Sequence, residues 1–220
     1  MKKIFATILT ASLMLVATNA FAQLSATAGY LNTTETTTVT TTSGSTTTTS
    51  SASADLNGFF VGANYGIDIP AVNGLGAVAG VNASFLFGSN HYDGLWGLGA
   101  RTVKDSEIAL NVPINLTYSY ALNGDTKLFA FAGPTLQFAL SNKSVTIFDS
   151  DKDTKHETDN LGGDDPARNP FNLLIGGGIG AQVSGIQITV GYEHSLLNYA
   201  TADNTNIGRS IIKIGVGYAF

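Results

Sequence analysis

The chain has 220 residues, no cysteine, 44% hydrophobic residues and only 12% charged ones, where a soluble domain carries about 25% charged residues. Twenty-five glycines, a mean hydropathy of +0.16 and recurrent short apolar runs exclude a disordered chain. The absence of Cys excludes a disulfide scaffold, a thiolate zinc site and a Cys nucleophile, and a formal net charge of -5 leaves no basic surface for nucleic acid.

In chain order, residues 1–22 open with Lys2 and Lys3, continue in an apolar run from Ile4 to Val16 and end in Ala20-Phe21-Ala22. This is the pattern of a cleavable export signal, and it predicts one mature domain over 23–220. The run is shorter than the roughly 20 residues a spanning helix needs, and no later stretch is long enough either.

The mature chain then alternates with period two, the strand signal. Alternating segments cover 24–32, 57–69, 75–88, 108–122, 126–141, 171–183, 186–199 and the C-terminal stretch to Phe220. The clearest has Ile108, Leu110, Val112, Ile114, Leu116, Tyr118, Tyr120 and Leu122 on one face, with Ala, Asn, Pro, Ser and Thr on the other. The last has Ile212, Ile214, Val216, Tyr218 and Phe220 on its apolar face, and only Ile211 interrupts the small face. Long connections (33–56, 89–107, 142–170, 200–208) alternate with short ones (70–74, 123–125, 184–185).

Eight strands with long and short connections segregated to opposite ends predict an all-β, eight-stranded antiparallel up-and-down transmembrane β-barrel, with short periplasmic turns and long extracellular loops. Charge placement sets the orientation of the wall. Within these segments the charges are Asp68, Lys127, Glu193, Arg209 and Lys213, all on the small face, so the apolar face is predicted to meet hydrocarbon. Hydrocarbon offers an open sheet edge no hydrogen-bond partner, so the first and last strands must pair.

Together with Gly58-Phe59-Phe60-Val61-Gly62-Ala63-Asn64-Tyr65, the mid-strand Pro113, Ala132-Gly133-Pro134 and the terminal Tyr218-Ala219-Phe220, this pattern resembles the small outer-membrane β-barrel family. That family includes the OmpA-type barrel domain, OmpW-like proteins and the PorT-like branch, and Gly58 to Tyr65, Pro113 and Ala132-Gly133-Pro134 are similar to recurring pieces of that last branch. The resemblance implies outer-membrane lipid and lipopolysaccharide as surroundings. It also implies that the assembly machinery reads Tyr218 and Phe220 as an insertion signal.

Among candidate functional residues, Glu193 and Lys213 lie at equal distances from the short-turn end. A last hairpin centred near residues 203 to 205 brings them opposite each other or within two steps, as a lumen charge cluster with Arg209 and Gln187 nearby. This cluster reads first as an internal ion pair that fixes register, and otherwise as a gate or solute site. His194-Ser195 beside Glu193 suggests an acyl hydrolase, but adjacent strand residues face opposite sides and break the relay. Asp149, Asp151 and Asp153 have calcium-loop spacing, yet Thr154 and Asn160 stand where such a loop needs Gly and Glu, leaving a solvated loop. His91, Tyr92 and Trp96 read as an interfacial aromatic belt.

From Thr33 to Ser53, 17 of 21 residues are Thr or Ser. This stretch is either a hairpin continuing both strands beyond the membrane or disordered chain; if ordered, it offers a sheet edge to a surface partner. Neither a catalytic constellation, a cofactor nor a metal is expected. The leading functional reading is a non-enzymatic barrel acting through its outer loops. The alternative is a narrow channel, or a carrier of a small hydrophobic ligand, through a lumen whose many glycines leave a thread of water.

Overall fold

The computed structural model describes residues 22–93, 99–163 and 166–220; nearly all of the expected signal segment, and Trp96, lie outside the described residues. Nine strands form: β1 Ala22–Ser43, β2 Thr46–Asp68, β3 Leu75–Tyr92, β4 Arg101–Ala121, β5 Thr126–Phe148, β6 Asp151–Asp159, β7 Phe171–Val183, β8 Ile186–Ser195 and β9 Thr205–Ala219. Eight of them close into an antiparallel ring in the order β1-β2-β3-β4-β5-β7-β8-β9. β1 pairs with β2 on one side and with β9 on the other, from Ser25↔Ala219 to Val39↔Thr205, so the barrel has no open edge at this seam.

The ninth strand lies outside the ring. β6 pairs only with the outer end of β5, from Lys143↔Asp159 to Phe148↔Asp151. The segment 142–170, read from sequence as a solvated loop, is therefore partly a two-stranded arm. Other segments also differ from their predicted extent: β3 runs on to Tyr92, β4 begins at Arg101 and β5 continues to Phe148. β8 ends at Ser195 rather than at 199, and β1 and β2 run through the Thr-rich stretch as a hairpin closed by Gly44 (φ 62°) and Ser45.

Three tight connections gather at one end with Ala22 and Phe220. Ser184 (φ 47°) and Gly185 (φ 87°) form a two-residue turn whose positive φ values suit the strand twist. At the neighbouring turn, the Asn123 carboxamide accepts the N–H groups of Asp125 and Thr126.

The alternation predicted from sequence maps onto the wall. Ile114, Leu116, Tyr118, Tyr120, Ile212, Ile214, Val216 and Tyr218 all point outward and are exposed. Phe59 and Phe85 stack across β2 and β3 with ring centroids 4.9 Å apart. The inner face carries the core.

Candidate functional site

The lumen is built in tiers, and β9 spells their order. Its inward residues Lys213, Ile211 and Arg209 belong to a lower ion pair, an apolar layer and an upper charged network.

At the lower tier, Lys213 Nζ lies 2.7 Å from Glu193 Oε2, and Glu193 Oε1 accepts a 3.0 Å hydrogen bond from Thr135. Lys213 pairs with Gly191 and Ile211 with Glu193, so Glu193 falls two steps from Lys213, within the expected range, while the hairpin centres near residue 202 rather than 203 to 205. The cause is the loop 196–204, which is not a symmetric turn. The Asn198 carboxamide accepts from the N–H of Ala200 and of Ile207 and donates to Thr205 O, and this rolls Tyr199 inward.

Below this pair lies a cavity of about 530 Å³, lined from Gln23, Asp68 and Lys127 at the short-turn rim up to Glu193 and Lys213. Phenylalanine rings occupy the space beside several of the lumen glycines. A Cβ on Gly178 would come within 2.5 Å of the Phe131 ring, and one on Gly180 within 2.4 Å of the Phe129 ring. Gly178→Ala is therefore expected to destabilise the barrel by about 1–3 kcal/mol through overpacking, measured as a lower urea midpoint for loss of the compact, heat-modifiable gel form.

The second tier shuts the lumen. Leu31, Leu56, Leu86, Leu174 and Ile211 form one buried cluster, none more than 3% exposed, with Phe60 packed beneath. Ile211, the lone break in the small face of the last strand, thus has a packing reason.

The third tier centres on Arg209, which is fully buried. Its five N–H donors meet five acceptor contacts. Nε donates to Glu35 Oε1 at 2.8 Å; Nη1 donates to Glu107 Oε1 at 2.7 Å and Gln137 Oε1 at 3.0 Å; Nη2 donates to Glu35 Oε1 and to Glu107 Oε2. Glu35 is on β1 beside β9, but Glu107 is on β4, four strands round an eight-strand ring. The Arg209–Glu107 pair therefore spans the lumen. Arg209 does not share the Glu193–Lys213 contact, so the single cluster expected from sequence is two tiers separated by leucine.

Loops complete the upper tier. Arg168 donates from Nη1 to both oxygens of Glu35 at 2.8 Å, which balances two cations against two carboxylates. The Tyr199 ring lies under both guanidiniums, 4.2 Å from Arg209 and 5.4 Å from Arg168, and its hydroxyl donates to Glu107 Oε2 at 3.0 Å. Burial pushes this loop phenol well above its usual pKa, so it stays a donor. Asn142 also donates to Glu107, at 2.6 Å. It reaches inward because the β4–β5 register shifts between Ile108 and Ala109, leaving Leu140 as an extra residue and reversing the facing of the chain beyond it.

Glu35 and Glu107 were not among the sequence candidates, since both fell in stretches read as loops. Odd-number parity was the available signal: Glu107 continues the inward series Ala109, Asn111, and Glu35 continues Leu31, Thr33.

The remaining candidates separate. His194 is exposed on the outer face and meets Ser210 Oγ at 3.1 Å, whereas Ser195 is buried on the inner face, accepting the Arg209 N–H at 2.7 Å. Among the described residues, no carboxylate is hydrogen-bonded to His194. Asp151 binds Thr154 through both carboxylate oxygens, which holds its pKa below the usual range. His91 meets Thr102, and Tyr92 lies under Arg101. Tyr218 and Phe220 form an edge-on pair on the outside, 5.2 Å apart, and Phe220 N–H donates to Leu24 O.

The structure is similar to that of Ail, the attachment invasion locus protein of Yersinia pestis, with 15% identity over 90% of this chain and 99% of that one, and a TM-score of 0.42. It is also similar to the outer-membrane enzyme PagL, at 11% identity over 85% and 98% of the two chains and a TM-score of 0.41. Neisserial surface protein A gives 11% identity, 87% and 97% coverage and a TM-score of 0.36. No curated protein matches the sequence significantly. The family model described as the outer membrane protein beta-barrel domain matches residues 8–220. With closure, an apolar exterior and a match over nearly its whole length, the chain belongs to the outer-membrane β-barrel domain family and is a protein of the cell outer membrane.

Proposed function

We propose that this protein is a non-enzymatic outer-membrane anchor for a surface-interaction element, and that the outer hairpin of β1 and β2 is that element. The observation that carries this reading is the continuous β9–β1–β2 sheet, which holds the Thr-rich stretch in register from Thr33↔Leu56 to Ser43↔Thr46. Hydroxyl ladders reinforce its outer face: Thr34 to Asp55 at 2.7 Å, Thr36 with Ser53 at 3.1 Å, Thr38 with Ser51 at 3.0 Å. An ordered polar sheet at the cell surface presents a fixed contact face, which disordered chain does not.

The leucine layer and the Arg209–Glu107 span favour this role over a solute path or a lumen carrier. Residues 1–22 serve as the removable export signal. Phe220 and Tyr218 serve the assembly machinery, and the exposed aliphatic belt contacts lipid and lipopolysaccharide. The motif Gly58 to Tyr65 with Pro113 supports placing the chain near the PorT-like branch.

The test replaces 38–51 with Asn-Gly, joining the paired residues Thr37 and Ala52 by a two-residue turn. The variant is expected to insert normally and to lose attachment of expressing cells to surfaces and to one another. Attachment equal to wild type, with the shortened protein at normal surface levels, would remove the hairpin from the function.

A further inference from the structure

Among the described residues, no strand pairs with one long side of the outer hairpin. Thr40 N–H donates to Asn204 O on the β9 side of β1. In this stretch of β1, even-numbered residues therefore turn their backbone groups toward β9 and odd-numbered ones toward β2. In β2, then, Thr46, Thr48, Ser50, Ala52 and Ala54 bond to β1. Thr47, Thr49, Ser51, Ser53 and Asp55 direct N–H and C=O the other way. Lower down, that same row pairs with β3, beginning at Asn57↔Phe87. Above Asn57, no strand among the described residues takes it.

Exposed edges of this length are normally guarded by Lys, Pro, a bulge or a covering element. Thr46 to Ala54 contains no charge and no proline, and its register with β1 runs without a shift.

We propose that this edge is a self-association surface, on which a second copy lays the same stretch of its own β2, antiparallel and two-fold symmetric about Ser51. The proposal rests on the hairpin being the surface element and names its partner. The chemistry is self-complementary, because β1 already pairs Thr and Ser with the Thr and Ser of β2 in this orientation. A two-fold axis at Ser51 sets Thr47 against Asp55 and Thr49 against Ser53, so the five free rows give about ten inter-chain hydrogen bonds and no like charges meet.

Geometry fixes the direction. A parallel partner in the same membrane would have to continue downward through the slot β3 occupies, with Asp55 beside Asp55. An antiparallel partner leaves upward past the Gly44 turn. Its own β3 begins only beyond Asp55, where the first hairpin has ended. The two barrels then lie at opposite ends of the shared sheet, in two facing membranes. Each contact is small, and strength comes from many copies acting across one junction.

The full-length mature protein, refolded into phosphatidylcholine vesicles, is expected to cluster them in light scattering. Thr49→Pro removes an edge N–H that the hairpin itself does not use and is expected to abolish clustering while the barrel stays compact on gels. Ser51→Lys, which sets two ammonium groups at the axis, should do the same if the proline variant fails to fold. The chain has no Cys, so Ser51→Cys with a short bis-maleimide should crosslink protein from two separately labelled vesicle populations.

Crosslinks confined to one population, or wild-type vesicles that stay dispersed, would overturn self-pairing. If vesicles stay dispersed while the hairpin-shortened variant still loses cell attachment, the partner is a different molecule and the surface role stands. If the shortened variant attaches normally as well, both readings fall.

Discussion

Glu107→Ala is expected to cost the barrel about 3–5 kcal/mol, because it strands a buried cation. In the folded protein Glu107 accepts from Arg209, Tyr199 and Asn142. Removing it leaves Arg209, which has no exposed surface, to share Glu35 with Arg168, and leaves the Tyr199 hydroxyl and Asn142 amide without this acceptor. Lys143→Ala provides the contrast. It breaks the Lys143–Glu157 pair on the outer arm, where both side chains are about half exposed, and solvent screens such pairs so that they add little to stability. Urea titrations followed by the gel shift between folded and unfolded forms should separate the two variants widely. Equal midpoints would show that the Arg209 network is not what holds the upper lumen.

The second large effect is expected from placing a cation on the wall. Ile114 lies at the middle of the outward series of β4 and is 48% exposed. Ile114→Arg should lower stability by about 2–4 kcal/mol, the cost for Arg at a bilayer midplane, and slow insertion into vesicles. Ser119→Arg, on the same strand but opening into the lower cavity, should insert at close to the wild-type rate. The inner face is not uniformly permissive, however. Asn111 is 4% exposed and bonded to Ser84 and Gln137, so a large side chain there would meet packed neighbours. Matching defects in Ile114→Arg and Ser119→Arg would contradict the assignment of faces.

The reach of sequence reasoning follows from where alternation has a physical cause. Between Ile108 and Leu122 the outward face meets hydrocarbon and the inward face does not, so two solvents write a period of two into the residues. Above the membrane both faces are polar. β1 and β2 continue as strands through the Thr run, and β4 begins at Arg101, but no contrast remains to mark them. Glu35 and Glu107 fall in that zone, which is why the lower pair Glu193–Lys213 was legible and the stronger upper network was not. The bulge at Leu140 has no sequence signature of its own, and without it Asn142 would not reach Glu107. Closure, by contrast, needed no residue signal, since an unpaired edge has no partner in hydrocarbon.

The placement of Arg209 bears on how the barrel must form. Its side chain belongs to the last strand, its nearest acid to the first, and its second acid to the far wall, so its full acceptor set forms only when the ring is closed. Until β1 and β9 zip together, the chain carries a cation facing a half-built interior. A slip of one residue along the seam would turn Arg209 out of the lumen and away from its acceptors. The seam is thereby proofread: only the register Glu35↔Arg209 gives the guanidinium its full set of acceptors. The last strand in the chain carries the residue whose acceptors depend on where the first strand sits.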